Sequence, residues 1–209
     1  MENIEIKLVE ENEFAEVENV VRNSFWNVFR PGCVEHFLVH RARENNWLVR
    51  ALDYCITKNN KIIGHIMFSH ANILLDSGFD KDILVLGPVC IIPEEQRKGY
   101  GQKLVQTTLS LAMKYGYGAV AVVGNPKFFE KVGFEPAENF NLHYAKLERD
   151  KPAPFFLVKE LQNGFFDDTS STFEPNEVFA VTMDEVEEYD KNFEPKEKSK
   201  KTNKIVVKI

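Results

Sequence analysis

The sequence contains few cysteines: only Cys33, Cys55 and Cys90 occur among 209 residues. Their odd number and wide separation match neither the spacing of zinc ligands nor a disulfide framework. We therefore expect no metal site, and three buried thiols in a protein from a reducing compartment.

Long apolar runs and an excess of positive charge are also missing. No apolar stretch approaches the roughly 20 residues that a helix needs to cross a bilayer, and the first twenty residues lack the basic and apolar regions of a secretory signal. With 26 Lys and Arg against 32 Asp and Glu, the net charge is −6, which argues against general affinity for nucleic acid or anionic membranes. We expect a soluble, cytoplasmic protein that binds neither and is a monomer or homodimer.

Apolar residues are plentiful, at 44% of the chain with 17 Phe, so the length allows one substantial domain with a sizeable core. Hydrophobic periodicity predicts alternating strands and helices. The predicted strands are 4–8, 54–57, 62–68, 83–92, 119–123 and 155–161, and the predicted helices are 11–25, 34–44, one after the loop 93–100, 126–131 and 182–192. This order indicates an α/β fold with a central mixed sheet of six or seven strands flanked by helices.

The loop from Gln96 to Gly101, Gln-Arg-Lys-Gly-Tyr-Gly, lies between a predicted strand and a predicted helix. Its glycines allow backbone N–H groups to converge, and the helix N-terminus adds partial positive charge, which together suit a pyrophosphate. The motif of NTPase phosphate loops is absent, and position 104, where a dinucleotide fingerprint needs a third glycine, is Leu104. The loop therefore predicts a diphosphate carried by a ligand other than NTP or NAD.

The same loop resembles the Gln/Arg-x-x-Gly-x-Gly/Ala signature of the GNAT superfamily of acyl-CoA N-acyltransferases. Residues 123–136, Val-Gly-Asn-Pro-Lys-Phe-Phe-Glu-Lys-Val-Gly-Phe-Glu-Pro, are similar to Gly-Asp/Asn-Pro-x-Tyr-Tyr-x-x-x-Gly-Phe-x-Pro, found in a subfamily of bacterial predicted N-acetyltransferases with a C-terminal extension. Residues 86–89 and 63–66 also fit. The resemblance extends from about residue 4 to 165 and is most specific between 84 and 136.

The resemblance implies an acetyl-CoA-dependent enzyme with a GNAT-like mixed sheet, in which two parallel strands splay apart to admit the pantetheine arm of the cofactor. A backbone N–H near Cys90 or Ile91 would stabilise the oxyanion. The pair Gly87-Pro88 predicts a bulge or bend, which is consistent with the splay. The implied cofactor-binding residues are Val89, Cys90, Ile91, Gln96, Arg97, Lys98, Gly99, Tyr100, Gly101, Gln102, Asn125, Phe128 and Phe129.

The chain departs from this family at Phe129, where many members have the tyrosine that protonates the leaving sulfur. Phenylalanine has no proton to give, so Tyr100 or Tyr144 is an alternative donor, and the catalytic residues are unassigned. Glu94 and Glu95 are either a base acting through water or a solvated loop pair.

Other side chains have a structural interpretation beside a functional one. His65 and His70 either flank the acceptor site or are ordinary structural histidines, and the Cys90 thiol is expected to be core rather than an acyl carrier.

Three segments are expected: an acetyltransferase domain at 1–165, an extension at 166–193 that packs on or near it, and a mobile charged tail at 194–209. The expected activity is acetyl transfer from acetyl-CoA to a primary amine. The alternative is a non-catalytic acyl-CoA sensor or an interaction protein, with the extension lying in the acceptor groove.

Overall fold

A computed structural model describes residues 2–45, 47–166 and 170–199. Within them the chain forms nine strands and five α-helices. The strands are β1 (Ile4–Leu8), β2 (Tyr54–Lys58), β3 (Lys61–Leu75), β4 (Asp80–Ile91), β5 (Ala119–Val123), β6 (Glu135–Pro136), β7 (Leu142–Tyr144), β8 (Phe156–Glu160) and β9 (Ser171–Phe173), and the helices are α1 (Phe14–Phe25), α2 (Glu35–Glu44), α3 (Tyr100–Lys114), α4 (Pro126–Phe129) and α5 (Met183–Asp190).

The strands form one mixed sheet in the order β1-β2-β3-β4-β5-β8-β6, with β9 joining β3 to β7 off this path. β4 pairs in parallel with β5, and β7 with β9; the other pairings are antiparallel. The expected α/β class with a mixed sheet is confirmed, but the expected six or seven strands were too few. β6, β7 and β9 have two or three residues each, which is too short for an alternating pattern to be recognised.

Most predicted elements lie within a few residues of their expected bounds. Asn59 and Asn60 both have positive φ, 51° and 63°, and form the predicted turn between β2 and β3. The Thr182–Glu185 capping box opens α5 as expected. The hairpin of β3 and β4 is longer than predicted, because the two strands stay paired as far as Leu74 and Asp80.

The sheet is covered on both faces. α3 packs on one face, where Leu104, Val105 and Leu109 meet Leu84 and Val120. α1 and α2 pack on the other, where their valines meet apolar side chains of β2, β3 and β4, with Cys55 and Cys90 among them. All three cysteines are free and buried, as expected, and burial raises the pKa of each thiol to about 12.

The C-terminal part of the described chain contacts the rest at several places. β9 pairs with β3 and β7, and α5 packs against α2. Residues 194–199 lie beside the end of α1, where Trp26 Nε1 donates to the carbonyl of Glu197 at 2.9 Å. The division of the chain into 1–165, 166–193 and 194–209 stays a prediction, and the part of the predicted tail at 200–209 lies outside the described residues.

Candidate functional site

The strands β4 and β5 pair over a short stretch and then separate. In this parallel pair, Leu84 lies opposite Val120 and Val85 lies opposite Ala121, whereas β4 continues to Ile91. Within the described residues, no further pairing joins these two strands. The edge of β4 from residue 86 to 91 therefore turns backbone N–H and C=O groups towards a gap rather than a neighbouring strand.

A bulge lies in β4 where the strands begin to part. Opposite β3, Phe68 pairs with Leu86 and Ile66 pairs with Val89, so Gly87 and Pro88 together face one residue of β3. This confirms the bulge predicted from the Gly-Pro pair. A bulge bends its strand, and this one lies where β4 and β5 stop pairing.

The N-terminus of α3 lies directly after this end of β4. Gly99 has φ +86° and precedes the first helical residue, Tyr100. No atom lies within 4 Å of the position that a Cβ on Gly99 would occupy, so glycine is needed here for its backbone conformation rather than for space. The first N–H groups of α3 have no partner within the helix, and they form a site suited to an anion.

Side chains of the loop hold it against β4 and against each other. Gln96 Nε2 donates to the carbonyl of Ile91 at 2.9 Å. Lys98 and Lys58 both bind the Glu95 carboxylate, at 2.9 and 3.1 Å, and they lower the pKa of Glu95. Gln96 therefore positions the loop, and Glu95 is held in ion pairs rather than placed as a base.

The other wall of the gap follows β5. Asn125 caps α4, its Oδ1 accepting from the N–H of Lys127 at 3.1 Å. The Phe128 ring packs on α3, 3.4 Å from where a Cβ of Gly101 would lie. The two sequence motifs are thus in contact, since the second motif packs on the first at the start of α3.

Phe129 is the next residue of α4 and is largely buried. It is 6% exposed, and its ring is 5.0 Å from that of Phe128 and 5.4 Å from that of Phe134. A Cβ on Gly124 would lie 2.5 Å from the Phe129 ring, so glycine is required at the end of β5 to admit it. The ring therefore lies against the point where β5 leaves the sheet.

The structure does not bring every predicted residue to the gap. Tyr144 is buried in β7 with Phe155, Phe156 and Phe173 around its ring, in a core cluster that contains Ile83 and Val85. Neighbouring residues Leu84 and Leu86 point to the α3 face, so Tyr144 lies on the opposite face of the sheet. The Tyr100 hydroxyl lies 3.5 Å from Glu2.

A buried ionic network beside the gap was not recognised in the sequence. Asp53 and His65 are fully buried, with His65 Nε2 2.6 Å from Asp53 Oδ1, and Arg43 binds both Asp53 and Glu18. Burial lowers the pKa of His65, against the opposing effect of Asp53. Burial alone would raise the pKa of Asp53, but His65 and Arg43 outweigh it and hold it low. His65 pairs with Cys90 across β3 and β4, so the network lies directly behind the end of β4.

One sequence feature points to buried charged contacts, of this network and of α5. Glu18 and Arg22 lie four residues apart on the stripe of α1 that also carries Phe14 and Phe25, so two charged side chains occupy an otherwise apolar face. Their partners come from distant segments, and no local spacing identifies them.

Two further properties concern the described residues. None of the helices there has both the length and the apolar character needed to span a membrane. No group of three or more His, Cys, Asp or Glu side chains is arranged to hold a metal ion in those same ranges.

Comparison with known proteins assigns the family. The sequence profile described as the Acetyltransferase (GNAT) family matches residues 20–134. The chain belongs to this family. The match includes the splayed ends of β4 and β5, the glycine loop and all of α3, so the GNAT resemblance and the assignment to an N-acyltransferase family are confirmed.

Curated relatives of this GNAT protein come from Escherichia coli. Uncharacterized N-acetyltransferase YjhQ of strain K12 is 28% identical over 111 residues, which is 53% of this chain and 56% of YjhQ. Uncharacterized N-acetyltransferase YhbS of the same strain is 28% identical over 126 residues, 60% of this chain and 70% of YhbS. The chain therefore spans little more than half of YjhQ.

Solved structures share the fold. GNAT family N-acetyltransferase YhbS from Escherichia coli, in complex with CoA, has a TM-score of 0.74 at 22% identity, covering 87% of this chain and 94% of that one. A GNAT family acetyltransferase from Brucella melitensis, in complex with acetyl-CoA, has a TM-score of 0.60 at 22% identity, covering 76% of this chain and 88% of that one. At this identity, the likeness establishes the GNAT architecture of the sheet and its helices.

Proposed function

We propose that this GNAT protein transfers an acetyl group from acetyl-CoA to a primary amine, on a small molecule or a protein, by direct attack of the amine on the thioester. The observation that carries the proposal is the gap between β4 and β5, which opens beside the N-terminus of α3. An extended pantetheine arm needs strand-like hydrogen-bonding partners, and a pyrophosphate needs convergent N–H donors. Both are available within one short stretch of chain, from β4 through the glycine loop.

Each wall of the gap has a role in this proposal. Val89, Cys90 and Ile91 would pair with the pantetheine amides through their backbone groups. The N–H groups of Gly99, Tyr100, Gly101 and Gln102 would hold the pyrophosphate. Arg97 and Lys98 would add positive charge, and Asn125, Phe128 and Phe129 would line the side that follows β5.

The reaction needs little from ionisable side chains. The neutral amine attacks the thioester carbon, a backbone N–H near Cys90 or Ile91 stabilises the oxyanion, and the intermediate collapses as the C–S bond breaks. The amine loses one proton and the CoA sulfur gains one. Phe129 does not supply that proton, so the donor to sulfur is water, a group of CoA itself or another residue.

Acetyl-CoA is proposed as the acyl donor because relatives of the same fold were solved with CoA and with acetyl-CoA. The cytoplasmic location, the absence of nucleic acid and membrane partners, and a monomeric or homodimeric state stay predictions.

A non-catalytic acyl-CoA sensor is the second candidate, and Phe129 is the observation that favours it. Such a protein would bind acetyl-CoA through the same backbone groups without turning it over. Thiol release distinguishes the two, because an enzyme liberates CoA with at least one amine of a chemically varied panel and a sensor does so with none.

The test combines calorimetry of acetyl-CoA binding with that CoA-release assay. Gly101→Glu is expected to abolish binding, because its carboxylate would repel the pyrophosphate, while its Cβ, 3.4 Å from the Phe128 ring, would make only an ordinary contact. It is a better variant than Gly99→Glu, which would also strain the positive φ of Gly99. Gln106→Glu, an exposed position further along α3, is the matched control and should bind normally. Undiminished binding by folded Gly101→Glu protein would place the phosphates elsewhere and overturn the proposal.

A further inference from the structure

Gly64 lies in β3 opposite Ile91, the last residue of β4. Beside this pair, the N–H of Ile92 donates to the carbonyl of Ile63 at 2.9 Å. Hydrogen-bonded and non-hydrogen-bonded pairs alternate along an antiparallel ladder, so Gly64 and Ile91 form a non-hydrogen-bonded pair. The N–H and C=O of Ile91 therefore turn away from β3, towards the gap. In agreement, the Ile91 carbonyl accepts from the side chain of Gln96 at 2.9 Å.

The peptide group that joins Cys90 to Ile91 spans the strand from β3 to the gap. Cys90 pairs with His65 and, by the same alternation, directs its carbonyl towards β3. In a planar trans peptide the C=O and the N–H point in opposite directions, so the N–H of Ile91 points into the gap. Whatever sets the position of the Cys90 carbonyl therefore also sets the direction of the Ile91 N–H, one of the two groups at which the thioester oxygen is proposed to bind.

The missing side chain of Gly64 allows this peptide to lie where it does. A Cβ on Gly64 would lie 2.5 Å from the Cys90 carbonyl oxygen, 2.4 Å from Cδ1 of Ile91 and 3.0 Å from Cγ2 of Ile56, whereas non-bonded atoms prefer about 3.5–4.0 Å. Gly64 has no positive φ, so space rather than backbone conformation requires glycine. The end of the Ile91 side chain could rotate away from an added methyl group, but the carbonyl can move only with its peptide.

We propose that Gly64 is a positioning residue for acyl transfer: the absence of a side chain there lets the peptide between Cys90 and Ile91 approach β3, which aims the Ile91 N–H at the thioester oxygen. The inference rests on the proposed function, because it concerns the same gap and the same reaction. Gly64 acts through β4 and is not placed in contact with substrate or cofactor. An oxyanion donor is effective at about 2.7–3.1 Å from the oxygen, so a small displacement of this peptide weakens it.

The test compares Gly64→Ala with Gly118→Ala, a matched variant at the opposite end of the sheet strand from the gap. Gly118 is also buried and has no positive φ, and a Cβ there would lie 2.1 Å from the Phe165 ring. Both variants therefore add one methyl group to a crowded place. For each protein kcat is measured as CoA release from acetyl-CoA with the best amine of the panel, the Kd of CoA by calorimetry, and stability by urea denaturation.

In Gly64→Ala we expect kcat to fall about tenfold or more, part of what an oxyanion donor contributes. The Kd of CoA should change less than about threefold, because the N–H groups at the start of α3 are not displaced. In Gly118→Ala both quantities should stay near those of the unaltered protein, although its stability falls as well. A purely structural role would lower stability alone. An unchanged kcat in folded Gly64→Ala, or an equal loss of kcat in the two variants, overturns the inference.

A double variant separates displacement of the backbone from crowding of side chains. Combining Gly64→Ala with Ile91→Val removes the Cδ1 atom that the new methyl group would meet, but leaves the Cys90 carbonyl in its way. We expect kcat of the double variant to stay as low as that of Gly64→Ala. Recovery of kcat would mean that side-chain crowding was the cause, which overturns the inference.

If Gly64→Ala does not fold, an ester in place of the amide of Ile91 provides the test. The ester removes the N–H that points into the gap and no hydrogen bond to β3, so the protein should fold, and kcat should again fall about tenfold or more. An unchanged kcat overturns the inference, because Gly64 would then aim no donor. These contrary results in an active protein overturn this inference alone, whereas an unaltered protein that releases CoA with no amine overturns the proposed function together with it.

Discussion

In the gap between β4 and β5 the groups that face the proposed ligand are mainly backbone N–H groups, presented by a bulge and a glycine loop. The contact of α5 with α1 and α2 is formed differently. There Arg22, 1% exposed, binds both oxygens of Asp190 at 2.6 and 3.1 Å, and Tyr189 donates to Glu18 at 2.5 Å. Glycine and backbone create a site that tolerates many side chains around it. Buried charges create a contact in which each partner depends on the other.

The largest expected effect is on stability, at the charged contact. Asp190→Ala removes the partner of a buried guanidinium, which should lower the free energy of unfolding by about 3 kcal/mol, towards the lower end for buried pairs because Asp190 is partly exposed. Asp76→Ala, which breaks the exposed pair with Arg149, is the control and should cost much less. The free energy of unfolding of each variant is measured by urea denaturation. Equal losses would mean that the α5 contact opens separately from the rest of the domain.

The next effect is the dependence of stability on pH, which arises at the same contact. Burial lowers the pKa of His36 to about 4, although the Asp190 carboxylate 3.2 Å from Nε2 opposes the shift. The unfolded state, with the ordinary pKa of 6.5, then binds more protons between pH 6.5 and about 4. Stability is therefore full above pH 6.5 and falls as the pH drops through this window, by up to about 1.4 kcal/mol per pH unit.

His36→Gln should flatten that slope, leaving the share due to His65 and to carboxylates such as Glu95, whose pKa is also lowered in the folded protein. His70→Gln, at an exposed position, should leave the slope as it is. The measurement is the urea midpoint at several pH values between 4.5 and 7.5. A slope in His36→Gln equal to that of the unaltered protein would show that His36 already has its ordinary pKa in the folded state.

Activity provides the next comparison, at the wall of the gap. Phe129→Tyr adds a hydroxyl near the point where β5 leaves the sheet, and we expect kcat to rise roughly tenfold, a modest part of what a general acid contributes. Affinity for acetyl-CoA should change little, because the ring remains. Phe128→Tyr adds the same hydroxyl to the neighbouring ring and should not raise kcat. An unchanged kcat in an active Phe129→Tyr protein would mean that another group already protonates the sulfur.

The smallest expected effect concerns the start of α3. Gln102→Glu places one carboxylate in the first turn, where it stabilises the free helix but repels a bound pyrophosphate. Affinity for acetyl-CoA should fall about fivefold, the equivalent of ~1 kcal/mol. Gln106→Glu carries the same change one turn further along and should bind normally. If calorimetry gave equal affinities for the two variants, the phosphates would not bind at this end of the helix.

The difference between the two regions also explains how far the sequence alone was informative. The glycine loop, α3 and the strand at 119–123 depend on neighbours in sequence, so periodicity and glycine spacing were sufficient to predict them. The bulge at Gly87 and Pro88 was predicted for the same reason. The roles of the site residues stay predictions. Backbone N–H and C=O groups are the same for nearly every residue type, so the sequence does not show which of them bind a ligand.

The charged contacts could not be predicted in this way. Arg22 and Asp190 are 168 residues apart, and no local pattern links such partners. β7 and β9 are each three residues long, so their pairing depends on the fold around them rather than on their own alternation. What could have been noticed is the charged pair Glu18 and Arg22 on the apolar stripe of α1, which requires partners from elsewhere.

The position of β9 has a consequence for how the chain folds during its synthesis. β9 lies between β3 and β7, with Ile73 opposite Phe173 and Tyr144 also opposite Phe173. While a ribosome is still extending the chain, β3 and β7 lack the strand that joins them. Unpaired strand edges can pair with the wrong strand or with another chain. Most of the sheet can form earlier, but β9 can pair with β3 and β7 only after residues 171–173 have left the exit tunnel.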